Sequence, residues 1–236
     1  MSGHTEGALN VARDSSDQYI DQNTDNKIQD FCVVLPDSTE MITHCLISDI
    51  DVGSKKLTIN TTNGPVRLYF KGKTINVSGQ GGIEHVWSSS SNQPPASRLG
   101  FFGIREDEQF SDGTSCASDI GSLTNPQSEP NIQHITLSGG GGFSHLFGYF
   151  PCGVTGINGG SSGETVNGEC VEAGDMNGTI WTAYWDGSNS NVAELCVPTD
   201  MINQLRYYFG ADFALSVRRY RAQGISDWRG FQGLSQ

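Results

Sequence analysis

The 236-residue chain is short of charge, and of positive charge above all. Charged side chains make up 17% of it, with 14 Lys and Arg against 26 Asp and Glu, a formal net charge of −12. Binding a phosphate backbone needs clustered basic residues, so nucleic acid is not an expected partner. No apolar run approaches the roughly 18 residues that a membrane-spanning helix needs. Membrane attachment is therefore expected only through an N-terminal apolar helix outside these residues. No two of the six cysteines form a C-x-x-C pair, which removes the usual zinc-ribbon and thioredoxin-type motifs. No two of His4, His44, His85, His134 and His145 have the i, i+4 spacing of a helical metal site, and neither a metal nor a cofactor is expected.

Glycine, by contrast, is plentiful, at 30 residues, and Ser, Thr and Asn are frequent. This is the composition of many short strands joined by tight turns. Cys32, Cys45, Cys116, Cys152, Cys170 and Cys196 form an even set on widely spaced, turn-rich segments, which suits disulfides and an oxidising compartment. An extracellular or cell-surface location follows as the expectation. The pairing stays open, although Cys32 with Cys45 closes the shortest loop. The charge is also uneven: residues 1–54 carry ten acidic and two basic side chains, while the last 31 residues carry five arginines. A solvated acidic front and a basic terminal helix account for this, and so do complementary ends that align subunits in an assembly.

Three regions follow. Residues 1–54 read as an acidic segment with a short helix and strands. The spacing of Leu9, Val11, Tyr19, Ile20 and Ile28 predicts the helix, and the apolar runs around Cys32 and Cys45 predict strands flanking a turn at Pro36-Asp37-Ser38. Residues 55–198 read as a β-rich core, because apolar residues alternate with polar ones at Leu57, Ile59 and Thr61, at Val66, Leu68 and Phe70, and at Ile75 and Val77. Pairs such as Asn63-Gly64 and Asp186-Gly187 mark turns. Residues 199–236 read as a C-terminal helical segment, with Thr199 as cap and Met201, Ile202, Leu205, Tyr208 and Phe209 on an amphipathic face.

The fold class expected is mainly β. Two architectures fit: a right-handed parallel β-helix-like or β-solenoid core with a C-terminal amphipathic helix, or a β-sandwich. A recurring unit of strand and small-residue corner favours the first. It is seen at Thr74 to Gly79, at Ile135 to Gly139 and at Val154 to Gly159.

Chemistry-bearing patterns are sparse. Gly159-Gly160-Ser161-Ser162-Gly163 matches a nucleophile-elbow motif by letter but lies in a Gly/Ser loop rather than between a strand and a helix. Gly139 to Gly142 lacks the lysine and following helix of a phosphate loop. His134 and His145 flank that glycine run and could converge. Asp175, Asp186 and Glu194 could supply a glycosidase pair only if two carboxyls met across a cleft. Asp49-Ile50-Asp51 and Asp186-Gly187-Ser188-Asn189 offer oxygen ligands for calcium, but turn chemistry explains both equally well. No catalytic residue is assigned. Trp181, Tyr184 and Trp185 are the candidate surface contacts, with Trp181 and Trp185 expected on one strand face and Tyr184 on the other.

The segments Ile75-Asn76-Val77-Ser78-Gly79, His134 to Gly139 and Gly178 to Trp185 resemble the β-helical ectodomains of pilin-like proteins. The similarity is to cyanobacterial pseudopilins and minor pilins of the hormogonium-polysaccharide type, over about residues 55–230. It implies a type IV pilus-like filament subunit, a fimbrial structural protein whose head is displayed outside the cell. The partners implied are other copies or other pilin subunits, and polysaccharide in a role of cell adhesion. It further implies an apolar helix preceding these residues. A non-enzymatic structural or adhesive module is the expected function. A secreted β-helical polysaccharide-active enzyme and a carbohydrate-binding module are the alternatives.

Overall fold

A computed structural model describes residues 8–12, 17–21, 31–37, 40–78, 82–87, 95–104, 132–138, 143–158, 165–166, 169–170, 176–186, 195–196 and 206. The chain divides into two compact units, Met1–Pro198 and Thr199–Gln236. Apart from Arg206, the second unit lies outside the described residues, and with it the expected C-terminal helix.

The first unit is mainly β. Its strands are β1 (Leu9–Val11), β2 (Gln18–Ile20), β3 (Cys32–Asp37), β4 (Glu40–Gly53), β5 (Lys56–Asn60), β6 (Val66–Phe70), β7 (Thr74–Val77) and β8 (Gly82–Val86). They continue with β9 (Leu99–Gly103), β10 (Gln133–Ser138), β11 (Phe143–Asn158), β12 (Thr165–Val166), β13 (Glu169–Cys170), β14 (Met176–Asp186) and β15 (Leu195–Cys196). All but β12 and β13 join one 13-stranded sheet. The expected helix among residues 1–30 gives way, at Leu9, Val11, Tyr19 and Ile20, to β1 and β2. Each is a three-residue strand that seals an edge of the sheet, with Val11 and Ile20 buried.

The pairing is parallel throughout the core. Antiparallel pairing occurs only in the β3–β4 hairpin and between β12 and β13 among the described residues. Hairpins between successive core strands, which a sandwich uses, are replaced by pairing between strands distant in sequence. Three ladders result. In the first, β4 at Thr43–Ile47 pairs with β6, β6 with β9, β9 with β11 at Phe147–Tyr149, and β11 with β14 at Thr179–Trp181. In the second, β4 at Ile50–Gly53 pairs with β7, β7 with β10, β10 with β11, and β11 with β14 at Tyr184–Asp186. In the third, the order is β2, β5, β8, β11, β14, β15.

In-register parallel pairing sets like residues side by side, and the alternation of each strand sends one set inward. The inward rows are apolar: Cys45, Leu68 and Phe101 in the first ladder, Ile50, Ile75 and Ile135 in the second, Leu57 and Ile83 in the third. All of these are buried, and they belong to one core. Each such side chain contributes on the order of 1.5–3 kcal/mol by leaving water. The three units seen in the sequence as echoes lie directly against one another: Ile75 opposite Ile135 opposite Thr155, and Val77 opposite Leu137 opposite Ile157.

Two local devices hold this arrangement. Gly103 leaves room where a Cβ would meet the Gln133 amide and the Phe150 ring. The Gln133 side chain can therefore reach inward, and its Nε2 donates toward the carbonyls of Phe70, Gly72 and Ile104 at 2.9, 3.1 and 3.2 Å. Phe70 and Phe150 meet edge to face at 6.3 Å. At the start of the first ladder, Cys32 and Cys45 lie directly opposite on β3 and β4 and are joined by a disulfide, as the short loop between them suggests.

Candidate functional site

The three candidate contacts all fall on β14, the last strand of the first and second ladders. In the first ladder the outward row runs Leu46, Tyr69, Phe102, Tyr149, Trp181, one residue per strand. The strand spacing of roughly 4.8 Å lets neighbouring rings stack, as Tyr69 and Phe102 do at 5.7 Å. His44 stacks on Tyr69, and its Nδ1 lies 2.9 Å from the Tyr69 hydroxyl. This face is not an open platform. Arg67, Phe147 and Thr179 share it and are all buried. Arg67 donates Nη1 to the carbonyls of Val66 and Arg98. Burial, reinforced by the Arg67 charge and opposed by Asp37, lowers the His44 pKa. Burial raises that of Tyr69, against the pull of Arg67. Trp181 is accordingly half-buried.

The outer face of the second ladder is more polar. One row runs Asp51, Asn76, Thr136, Gly156, Asp186. Asn76 donates to Asp51 Oδ1 at 3.0 Å. Asp51 and Asp186 stand four strand spacings apart, roughly 19 Å, well beyond the separation of a glycosidase pair. Asp49 Oδ1 accepts the backbone N–H groups of Lys73 and Thr74 at 2.8 and 2.9 Å, which is turn-holding chemistry. The parallel row Thr74, His134, Val154, Tyr184 ends on the exposed Tyr184.

Trp181 and Trp185 do not share a face as strand alternation predicts. The register between β11 and β14 shifts between Phe150 and Val154, where β14 passes from the first ladder to the second. Trp181 continues an outward row there, while Trp185 stands opposite Thr155 in the inward row of Ile50, Ile75 and Ile135. Trp185 is nevertheless 40% exposed, on the last strand of the second ladder among the described residues.

A polar corner links the third ladder to the first. His85 occupies an inward position, opposite Ile59, and is 5% exposed. Its Nδ1 lies 2.6 Å from the His145 carbonyl and its Nε2 2.6 Å from the Thr61 hydroxyl. A carbonyl only accepts, so Nδ1 carries the proton and Nε2 accepts from Thr61. His145 supplies that carbonyl from a left-handed backbone, with φ of 56°. The Thr61 backbone carbonyl accepts from Arg98 Nε and Nη2 at 3.2 and 3.0 Å, while Arg98 Nη1 pairs with Glu40 at 3.1 Å. The Arg98 guanidinium also lies 4.3 Å from the centre of the Trp87 ring. Thr61, His85 and Arg98 carried no signal beyond a polar residue interrupting an apolar alternation. The corner imitates a base and hydroxyl pair, but Thr61 is wholly buried, so it acts as a brace.

Of the other candidates, Cys152 is disulfide-bonded. Cys170 and Cys196 lie on β13 and β15, and Cys116 lies outside the described residues. His4, Asp175, Glu194 and the glycine motifs at 139–142 and 159–163 also lie outside them. His134 sits on β10 and His145 at the His85 corner, and burial lowers both pKa values. Among the described residues no group of His, Cys, Asp and Glu is arranged to hold a metal ion, and no helix is long and apolar enough to cross a membrane. No protein family, curated protein or solved structure matches this chain.

Proposed function

We propose that the chain is a non-catalytic extracellular module, the globular head of a pilin-like filament subunit, and that its three parallel ladders are the faces of a parallel β-helix. The observation that carries the location is the Cys32–Cys45 disulfide, since such bonds persist in oxidising compartments. The β-helix reading is supported by the ladder order. The chain visits the first, second and third ladders in turn, at Thr43, Ile50 and Lys56, and then again at Val66, Thr74 and Gly82. Such a scaffold presents side chains on fixed faces rather than enclosing a substrate. The wide spacing of Asp51 and Asp186 along one face agrees with display rather than hydrolysis.

The test is immunogold labelling of intact producing cells with an antibody to the whole chain. Label along surface filaments without permeabilisation is the expected result. Label seen only after permeabilisation would overturn the proposal. A carbohydrate-binding module is the second reading, favoured by the polar Asn76–Thr136–Asp186 row beside the exposed Tyr184. A glycan array distinguishes it, because specific retention lost in Tyr184→Ala would support that reading.

A further inference from the structure

Asparagine is among the chemically labile residues, and a following glycine leaves the next backbone nitrogen unshielded, because glycine has no Cβ. The chain holds four such pairs: Asn63-Gly64, Asn158-Gly159, Asn167-Gly168 and Asn177-Gly178. Reaction requires the glycine nitrogen to reach the side-chain carbon of its own asparagine. The backbone must therefore rotate, and the side-chain amide must not be held elsewhere. Gly159, Asn167 and Gly168 lie outside the described residues, which leaves two pairs to compare.

Those two sit in opposite settings. Asn177 and Gly178 lie within β14. The Asn177 backbone stands between Ser144 of β11 and Cys196 of β15, paired on both sides. Gly178 is buried and packed so closely on the Leu146 backbone that no Cβ would fit. Asn63 and Gly64 lie instead in the bend 61–65 between β5 and β6, where the chain passes from the third ladder to the first. Asn63 is exposed. Gly64 is buried, but the bond forms within the pair, so only the Asn63 side chain needs room. The Gly64 N–H donates to the Thr61 carbonyl at 3.4 Å, a long bond that holds it weakly.

Neighbouring asparagines are occupied. Asn60 donates Nδ2 to Asp21 at 2.9 Å, and its Oδ1 accepts the Thr62 N–H at 2.9 Å. Asn76 donates to Asp51 at 3.0 Å. No such bond from a described residue holds the Asn63 amide. The bend is also anchored on either side of the pair. Thr61 N donates to the Val86 carbonyl at 3.0 Å, and the Pro65 carbonyl accepts from Thr43 N at 2.9 Å. A change at Asn63 is thus confined between fixed points and leaves the ladders paired.

We propose that Asn63 is a site of spontaneous, irreversible modification in the folded protein, by conversion to aspartate and isoaspartate. The Gly64 nitrogen bonds to the Asn63 side-chain carbon. The bond from that carbon to Nδ2 breaks, and ammonia leaves with the proton that the Gly64 amide gives up. Water then opens the resulting ring. Opening at the side-chain carbonyl gives aspartate. Opening at the main-chain carbonyl gives isoaspartate, in which the chain runs through the former side chain. Either product adds one negative charge to an exposed corner.

The test is incubation of the folded full chain in neutral buffer, followed by peptide mapping for the mass gain of amide-to-acid exchange and by enzymatic methylation specific for isoaspartate. Asn63 should convert at least about tenfold faster than Asn177, which must wait for β14 to open locally. In denaturant the two should convert at similar rates. The aged product should remain folded and elute as a more acidic species on ion exchange. Asn63→Gln, at an exposed position, should keep the melting temperature and remove both signals from that peptide. An unmodified Asn63 after prolonged incubation, an Asn177 that keeps pace in the folded chain, or signals that persist in Asn63→Gln would each overturn the proposal.

Discussion

Inside the core, His85 is held neutral between the His145 carbonyl and the Thr61 hydroxyl. Burial lowers its pKa from 6.5 to about 4. The bond to the His145 carbonyl opposes that shift, and the charges of His145 and Arg98 add to it. The unfolded chain therefore takes up a proton near pH 6.5 that the folded chain refuses until about pH 4. Between those values the unfolded state binds more protons, so stability falls as pH falls, and it levels off below about 4. The full loss is roughly 3 kcal/mol, a large share of the stability of a domain. The lowered pKa values of His44, His134 and His145 act in the same direction. Urea unfolding at a series of pH values measures the slope, and the ring resonances of His85 locate its titration. His85→Met should be less stable at neutral pH by about 1–3 kcal/mol, because it strands the Thr61 and His145 groups. Its stability should also vary less with pH. An imidazole titrating near 6.5 in the folded protein would refute the reasoning, as would equal stability at pH 7 and pH 4.5.

Three further outcomes follow from the packing. Gly72→Ala should cost on the order of 3 kcal/mol, because a Cβ would collide with the Ser48 backbone carbonyl. Gly156→Ala should cost about 0.5 kcal/mol or less, since its nearest neighbours are Asp186 atoms at 3.8 Å. Thermal unfolding of the two variants side by side checks the contrast. Gln133→Leu should lose about 1–3 kcal/mol by removing the donor that faces three carbonyls, measurable as a fall in urea midpoint. The double replacement Cys32→Ala with Cys45→Ala should lose roughly 3 kcal/mol, the loop-closure value for a bridge of this span. Increased hydrogen exchange confined to β3 and the start of β4 is its expected signature.

The β character of the core was legible because its inward residues are large and apolar at every second position, as at Leu57 and Ile59 or Val66, Leu68 and Phe70. The echo units were legible for the same reason, and they turned out to be neighbours in one ladder. β1 and β2 were not legible. With three residues each, apolar positions two apart on β1 and adjacent on β2 fit a helix turn as well as a strand. The buried polar corner was invisible for a different reason. His85 and Arg98 lie 24 and 37 residues along the chain from Thr61, and only ladder register brings the three together. The face of Trp185 was misjudged because alternation assumes an unbroken strand, and β14 changes ladder within its length.

No fixed period marks the repeat, and the geometry shows why one is not needed. The step between ladder partners is 23 residues from Thr43 to Val66, 33 from Val66 to Leu99 and 47 from Gly100 to Phe147. What each pass must conserve is the short inward row, since that row buries against its neighbours, while the connections between ladders can lengthen at small entropic cost. The first and last passes differ from the others in one respect: each has a neighbour on one side only. Apolar residues on an inner strand are covered by the next pass, so they reveal nothing about partners. The same residue types at Leu35 and Trp185 have no next pass within the described chain, and both stay exposed.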